Sequence, residues 1–255
     1  MNAVSYLNST PLVWGMQYGP QKPQVDLNFS IPSECALDIE RGGSEVGLVP
    51  VAEIARQGLE IVPGVGITCK GSVRSILLFS RVPFSQIKTM AADASSRTSV
   101  HLARVILREL YGSDPRIFSQ NPILREMLTD ADAALIIGDP ALMLEPETLG
   151  FEWLDLGTEW FRLTRLPMVF AAWAGKPGIP TEPIQKLTLG SYNFGKAHLA
   201  QIVDEEHKSR RITHDLANRY LSENIRFQIG AQEQRGLEAF LELADLGKPA
   251  LVGQN

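Results

Sequence analysis

The chain is 255 residues long, enough at roughly 100–200 residues per domain for one large domain or two smaller ones, each with a real core. Hydrophobic residues make up 44% and charged residues 21%, which excludes a disordered or fibrous chain. With 24 Lys and Arg against 29 Asp and Glu the net charge is −5; no basic run interleaved with aromatics argues for nucleic acid, and no apolar stretch is long enough to span a membrane.

Taken from the N-terminus, short runs rich in Val, Ile and Leu predict strands at Ala3–Tyr6, Val46–Val49, Ser75–Ser80, Thr89–Ala92, Ala133–Ile137, Trp153–Leu156, Met168–Trp173 and Ile225–Ile229. Longer helical patterns alternate with them, the signature of α/β units around largely parallel, buried sheets. Leu102, Ile106 and Leu110 share a face with Ala103 and Leu107. That helix opens on Ser96-Arg97-Thr98-Ser99, with cap chemistry, and closes at Gly112. Residues 185–206 read as one helix weakened in its middle by Gly190 and Gly195, and Leu237, Phe240, Leu241 and Ala244 mark another near the C-terminus.

Proline turns at Arg81-Val82-Pro83 and Arg165-Leu166-Pro167 read as hinges. They predict a first lobe built from residues 1–80 and 166–255, a second from 81–165, and a ligand cleft between them. Cys35 and Cys69 lack the spacing of a zinc site or a disulfide framework and are expected to be reduced, buried thiols. His101, His198, His207 and His214 show no paired metal-ligand spacing, so no metal is expected. Gly66 to Ser72 has the glycine spacing of a phosphate loop but places Ser72 where that chemistry needs lysine. The opening Met1-Asn2-Ala3-Val4-Ser5 has neither a basic nor an apolar leader segment, which predicts a cytoplasmic address.

Small polar residues flank the buried strands in four places: Ser5 to Pro11, Gly71 to Ser75, Ser95 to Ser99, and Ile137-Gly138-Asp139-Pro140. Ligands of open α/β sheets bind at such positions. Ser95-Ser96-Arg97-Thr98-Ser99 sets hydroxyls, backbone N–H groups and one guanidinium at a helix start, a site for a carboxylate or phosphate. Plain helix capping explains the same letters equally well, as do a turn for Asn8 and a cap for Asp139.

In order along the chain, Val4-Ser5-Tyr6-Leu7-Asn8-Ser9-Thr10-Pro11-Leu12, Gly47-Leu48-Val49-Pro50-Val51-Ala52-Glu53 and Gly71-Ser72-Val73-Arg74-Ser75 are followed by the Ser95–Ser99 and Leu135–Ala141 motifs. Asp155-Leu156-Gly157-Thr158-Glu159-Trp160 and Leu166-Pro167-Met168-Val169-Phe170 complete the set. This collinear series resembles the MqnA family of menaquinone biosynthesis, over most of the chain but fading after about residue 180. The resemblance implies a two-lobe, type II periplasmic-binding-protein-like fold and the dehydration of chorismate to 3-[(1-carboxyvinyl)oxy]benzoate, with no cofactor. Carrying the motifs over, Asn8 and Ser75 would lie nearest the reacting carbons. Arg97, Thr98 and Ser99 would clamp a carboxylate of the dianionic substrate, with Ser5, Gly138 and Asp139 completing the substrate site. The proton acceptor stays open between Asp139 and a carboxylate of the substrate itself. Gly138 and Leu7-Asn8 stand where the related naphthoate synthase has histidine and a Cys-Pro-Asn-Asp-like opening, which argues against that activity. The alternative on the same fold is a non-catalytic receptor for a small carboxylate. Nothing in the sequence separates a dimer face from a core stripe.

Overall fold

The computed structural model describes residues 1–247 and the backbone of 250–251. The chain begins with β1 (Asn2–Val4), a 3-10 turn at Leu7–Ser9 and α1 (Thr10–Tyr18), followed by β2 (Asn28–Ser30), α2 (Pro32–Arg41), β3 (Val46–Pro50), α3 (Val51–Gln57) and β4 (Glu60–Cys69). It then crosses to β5 (Ile76–Ser80), β6 (Thr89–Asp93), α4 (Thr98–Tyr111), β7 (Arg116–Gln120), α5 (Leu124–Asp130), β8 (Ala133–Ile137), α6 (Gly138–Leu142) and β9 (Glu152–Asp155). It returns through α7 (Leu156–Thr164) to β10 (Met168–Gly175), α8 (Thr181–Ala197), α9 (Leu199–Ser209) and α10 (His214–Arg219). A π-helical turn at Tyr220–Asn224 leads into β11 (Arg226–Ile229), α11 (Ala231–Leu243) and β12 (Ala250–Leu251).

Two sheets result. The seven-stranded one runs β11-β4-β10-β3-β1-β2, with β12 beside β4; the five-stranded one runs β7-β6-β8-β5-β9. The α/β architecture with two sheets is as expected, but neither sheet is mostly parallel. Parallel pairing holds β2, β1 and β3 together and likewise β7, β6 and β8. By contrast β10 runs antiparallel to β3 and β4, and β5 antiparallel to β8 and β9. Both reversed strands follow a crossing between sheets, and each enters its new sheet against the direction of its central neighbours.

The first crossing also differs from the boundary expected after residue 80. Leu77 pairs with Ile136 and Phe79 with Ala134, so β5 belongs to the second sheet and the chain changes sheets at residues 70–75. The turn at Pro83 lies within the second sheet's surroundings, where the Arg81 N–H donates to the Asp132 carbonyl (2.9 Å). A wholly apolar run cannot reveal which of two sheets it joins, because it is buried on both faces either way.

All of β10 is buried, and the main core gathers around it, while Leu77, Phe79, Ala91, Met127 and Ile136 form a second, smaller cluster. Cys35 and Cys69 are free and buried. Among the described residues no helix is long and apolar enough to cross a membrane, and no group of acidic, His and Cys side chains is arranged to hold a metal ion.

Strand β4 was not legible because Pro63, Gly64 and Gly66 read as turn punctuation. They serve a bulged strand instead, whose register against β10 shifts twice. A Cβ at Gly66 would collide with the Ala171 carbonyl. The helix expected over 185–206 divides at His198 into α8 and α9. Gly190 and Gly195 are not its weak points. A Cβ at Gly195 would meet the Pro11 carbonyl, and one at Gly15 would lie 2.6 Å from Ser191 Cα, so these glycines let α1 and α8 approach closely.

Candidate active site

A cavity with about 550 Å³ of empty space, the open solvent at its mouth included, lies where the two sheets face each other. Its wall is assembled mostly from strand ends and the loops that follow them. Tyr6 and Asn8 follow β1, Pro50 ends β3, Ser75 sits in the first crossing, Arg97 to Ser99 start α4, Gly138 follows β8, and Phe170 comes from β10. Of the residues expected from the sequence, Asn8, Ser75, Arg97, Thr98, Ser99 and Gly138 therefore share one hollow. Apolar side chains such as Ile67, Val73 and Ile137 supply much of the remainder. Among the described lining residues none is Asp, Glu or His, and Arg97 is the one cation.

Ser5 and Asp139 were expected at the substrate and do not line the cavity. The Ser5 N–H donates to the Ser30 carbonyl (2.9 Å), and its own carbonyl accepts from Arg210 Nη1 (2.6 Å). Asp139 follows a left-handed Gly138 (φ +63°) and points away. Its carboxylate accepts from the Leu7 N–H (2.9 Å) and pairs with Arg210. Burial pushes the Asp139 carboxyl above the ordinary carboxylate pKa, against the lowering pull of Arg210 and the Leu7 N–H. This carboxylate braces the turn that carries Asn8.

The start of α4 has no side-chain cap, so the capping explanation of Ser95 to Ser99 fails. Thr98 is committed elsewhere: its hydroxyl donates to the Phe170 carbonyl (3.1 Å) and accepts from the Ala52 N–H (3.3 Å). What α4 offers the cavity is its first-turn backbone N–H groups and the positive end of its dipole, with the Ser99 hydroxyl beside them. Arg97 folds back on its own loop, donating to the carbonyls of Ala94 (3.1 Å) and Ser96 (2.8 Å), with Nε 3.7 Å from Glu53 Oε1. The guanidinium thus shapes the loop and sits at the cavity wall, its positive charge partly offset by Glu53.

Two tyrosines that the sequence reading did not single out complete the wall and its backing. Ser95 Oγ spends its proton on Asp93 Oδ1 (2.8 Å), so the Tyr6 hydroxyl is the donor in its 2.8 Å bond to Ser95. This chain ties the residue after β1 to the loop after β6, across the two sheets. Burial pushes the Tyr6 phenol up to about 12. Its ring lies against Gly138, where a Cβ would collide with it. Tyr220, buried at the start of the π-helical turn, donates to Ser75 Oγ at 2.7 Å.

The menaquinone biosynthesis family matches residues 2–245, well beyond residue 180, where the motif resemblance fades. A chorismate dehydratase of Thermus thermophilus is 30% identical over 223 residues, 79% of this chain and 81% of that protein. Among solved structures, protein AF1704 of Archaeoglobus fulgidus superposes with a TM-score of 0.74 at 14% identity, covering 96% of each chain. The periplasmic aliphatic sulphonate binding protein SsuA of Escherichia coli superposes with a TM-score of 0.61 at 13% identity, over 100% of this chain and 93% of that one. These last two show the periplasmic-binding-protein-like fold. By the extent of the family match, the chain belongs to the menaquinone biosynthesis family.

Proposed function

We propose that this protein is a chorismate dehydratase, a hydro-lyase that eliminates water from chorismate to give 3-[(1-carboxyvinyl)oxy]benzoate. Membership of the family and the identity to the Thermus thermophilus enzyme support the reading. The observation that carries it is the joining of Asn8 and Ser75, expected nearest the reacting carbons, to an uncapped helix start in one hollow without acidic side chains.

Chorismate is a dianion. The α4 N-terminus, Ser99 and the charge of Arg97 suit one of its carboxylates, and the apolar walls suit its ring. The elimination removes the hydrogen on the ether-bearing ring carbon, vinylogously activated by the ring carboxylate, and the neighbouring hydroxyl; aromatisation drives it. With no acidic or imidazole side chain on the described wall and Asp139 turned away, we assign the base to a carboxylate of the substrate. That proton and the departing hydroxide leave as water, so atoms balance with no cofactor. Asn8 would orient the acceptor carboxylate, and Ser75 would donate a hydrogen bond to the departing oxygen.

The test is incubation of the purified protein with chorismate, followed by mass spectrometry. Appearance of a product lighter by one water supports the proposal. Binding without conversion overturns it in favour of a carboxylate receptor.

A further inference from the structure

The geometry points to Tyr220 as a positioning residue for the elimination, one that directs the hydroxyl proton of Ser75 into the cavity. This inference rests on the reading of the site as a chorismate dehydratase.

Ser75 has one hydroxyl proton and two lone pairs. Left alone in a buried wall, that proton can turn toward any acceptor. The Tyr220 hydroxyl donates to Ser75 Oγ at 2.7 Å. It thereby fills one lone pair and removes the direction of Tyr220 from those the Ser75 proton can take. The proton then faces the cavity, on the side where the Asn8 side chain also stands. Both groups are buried, Tyr220 at 1% and Ser75 at 1% exposure, so water has little access to the bond between them. Desolvation holds the phenol in its neutral, donating form well above ordinary tyrosine behaviour.

The backbone is built to keep this pair together. The Ser75 carbonyl accepts from the Gly138 N–H (2.8 Å), and its own N–H donates to the Val73 carbonyl (2.7 Å). Three residues earlier, Ser72 donates to Asp155 Oδ2 (2.7 Å) while its carbonyl accepts from Asn224 Nδ2 (3.2 Å). Tyr220 and Asn224 are the first and last residues of the π-helical turn. The turn therefore grips the crossing segment at two points, Ser75 through its first residue and Ser72 through its last. Wide turns of this kind are rare and recur at functional sites. A tyrosine retained only to fill the core has no need of this second anchor, nor of a hydroxyl aimed at a candidate catalytic serine.

Tyr220→Phe keeps the ring and deletes the donor. We expect kcat to fall about tenfold, the worth of one buried hydrogen bond, with KM for chorismate changed less than about twofold. Ser75→Ala falls further, and the double variant Ser75→Ala/Tyr220→Phe falls by clearly less than the product of the two single losses, because the tyrosine acts mainly through the serine, with Asn8 its second polar neighbour. Full kcat in Tyr220→Phe, or multiplicative losses in the double variant, overturns the inference. A wild-type protein that does not convert chorismate instead overturns the reading beneath it, so the two failures are distinct. Where Tyr220→Phe does not fold, 3-fluorotyrosine at position 220 carries the test: it must change kcat more in the wild-type background than in Ser75→Ala, and an equal change in both overturns the inference.

Discussion

The carboxylate of Asp139 accepts the backbone N–H of Leu7 at 2.9 Å, joining the end of β8 to the turn that follows β1, strands of different sheets. Arg210, on the exit of α9, completes the clamp by pairing with Asp139 and with Glu206 (3.0 Å) while donating to the Ser5 carbonyl. Asp139 thus serves the cavity at one remove, by fixing the turn on which Asn8 stands.

Asp139→Ala leaves a mostly buried guanidinium and a backbone N–H without their partner. Lost charged hydrogen bonds of this kind cost about 2 kcal/mol, or about 4–8 °C in Tm for a chain of this size. Asp139→Asn keeps an acceptor for Leu7 and is expected to retain more kcat than the alanine variant. A thermal melt and steady-state kinetics of both variants check this. Were Asp139 itself the base, both would be equally inactive.

Gly138 combines a left-handed backbone with a collision. A Cβ there would strike the Tyr6 ring, whereas one at Gly42, also left-handed (φ +78°), meets nothing within 4 Å. Gly42→Ala is expected to cost only the backbone strain of about 1 kcal/mol and to leave kcat intact. Gly138→Ala adds overpacking of about 1–3 kcal/mol, forces Tyr6 off Ser95, and is expected to abolish most activity. Denaturant unfolding beside kcat for the two variants separates strain from collision.

The positions of the polar turns were legible because buried strands announce themselves as apolar runs, and ligands of such sheets gather at strand ends. Ala133–Ile137 emerges with the bounds expected, and the Gly138 that follows it lines the cavity. Side-chain direction was not legible. Gly138 and Asp139 are adjacent, yet one faces the cavity and the other the Leu7 turn, a choice made by a left-handed φ that the letters do not display. Thr98 looks like a cap, but its acceptor, the Phe170 carbonyl, is 72 residues away. Tyr220 lies where the motif resemblance fades, and nothing local distinguishes it from an ordinary core aromatic.

Adjacent hydroxyls at the start of α4 are expected to respond differently. Thr98→Val strands the Phe170 carbonyl and the Ala52 N–H in a buried setting, at a cost of about 1–3 kcal/mol in stability, with KM little changed. Ser99→Ala removes a hydroxyl from the cavity wall and is expected to raise KM about three- to tenfold with Tm nearly unchanged. Calorimetric melts paired with KM for chorismate decide between this division of labour and two equivalent carboxylate ligands.

Asn8 provides the sharpest division between binding and turnover. Its 3-10 turn holds it on the cavity wall, where its Oδ1 takes a long bond from Ser9 Oγ (3.4 Å) and its side chain lies within hydrogen-bonding influence of the Tyr220 hydroxyl, so the amide is held in place to engage a substrate. The α4 N-terminus and Arg97 supply the main attraction for the dianion and are untouched by Asn8→Ala. Substrate affinity should therefore change less than about threefold while kcat falls by about 10², as expected when the group that orients the proton-accepting carboxylate is deleted. Asn8→Asp preserves size but sets a carboxylate against an anionic guest, so here binding must weaken as well. Single-turnover rates and equilibrium titrations on the two variants measure each term separately. Equal losses of binding and turnover in Asn8→Ala would make Asn8 a simple binding group and remove it from the elimination step.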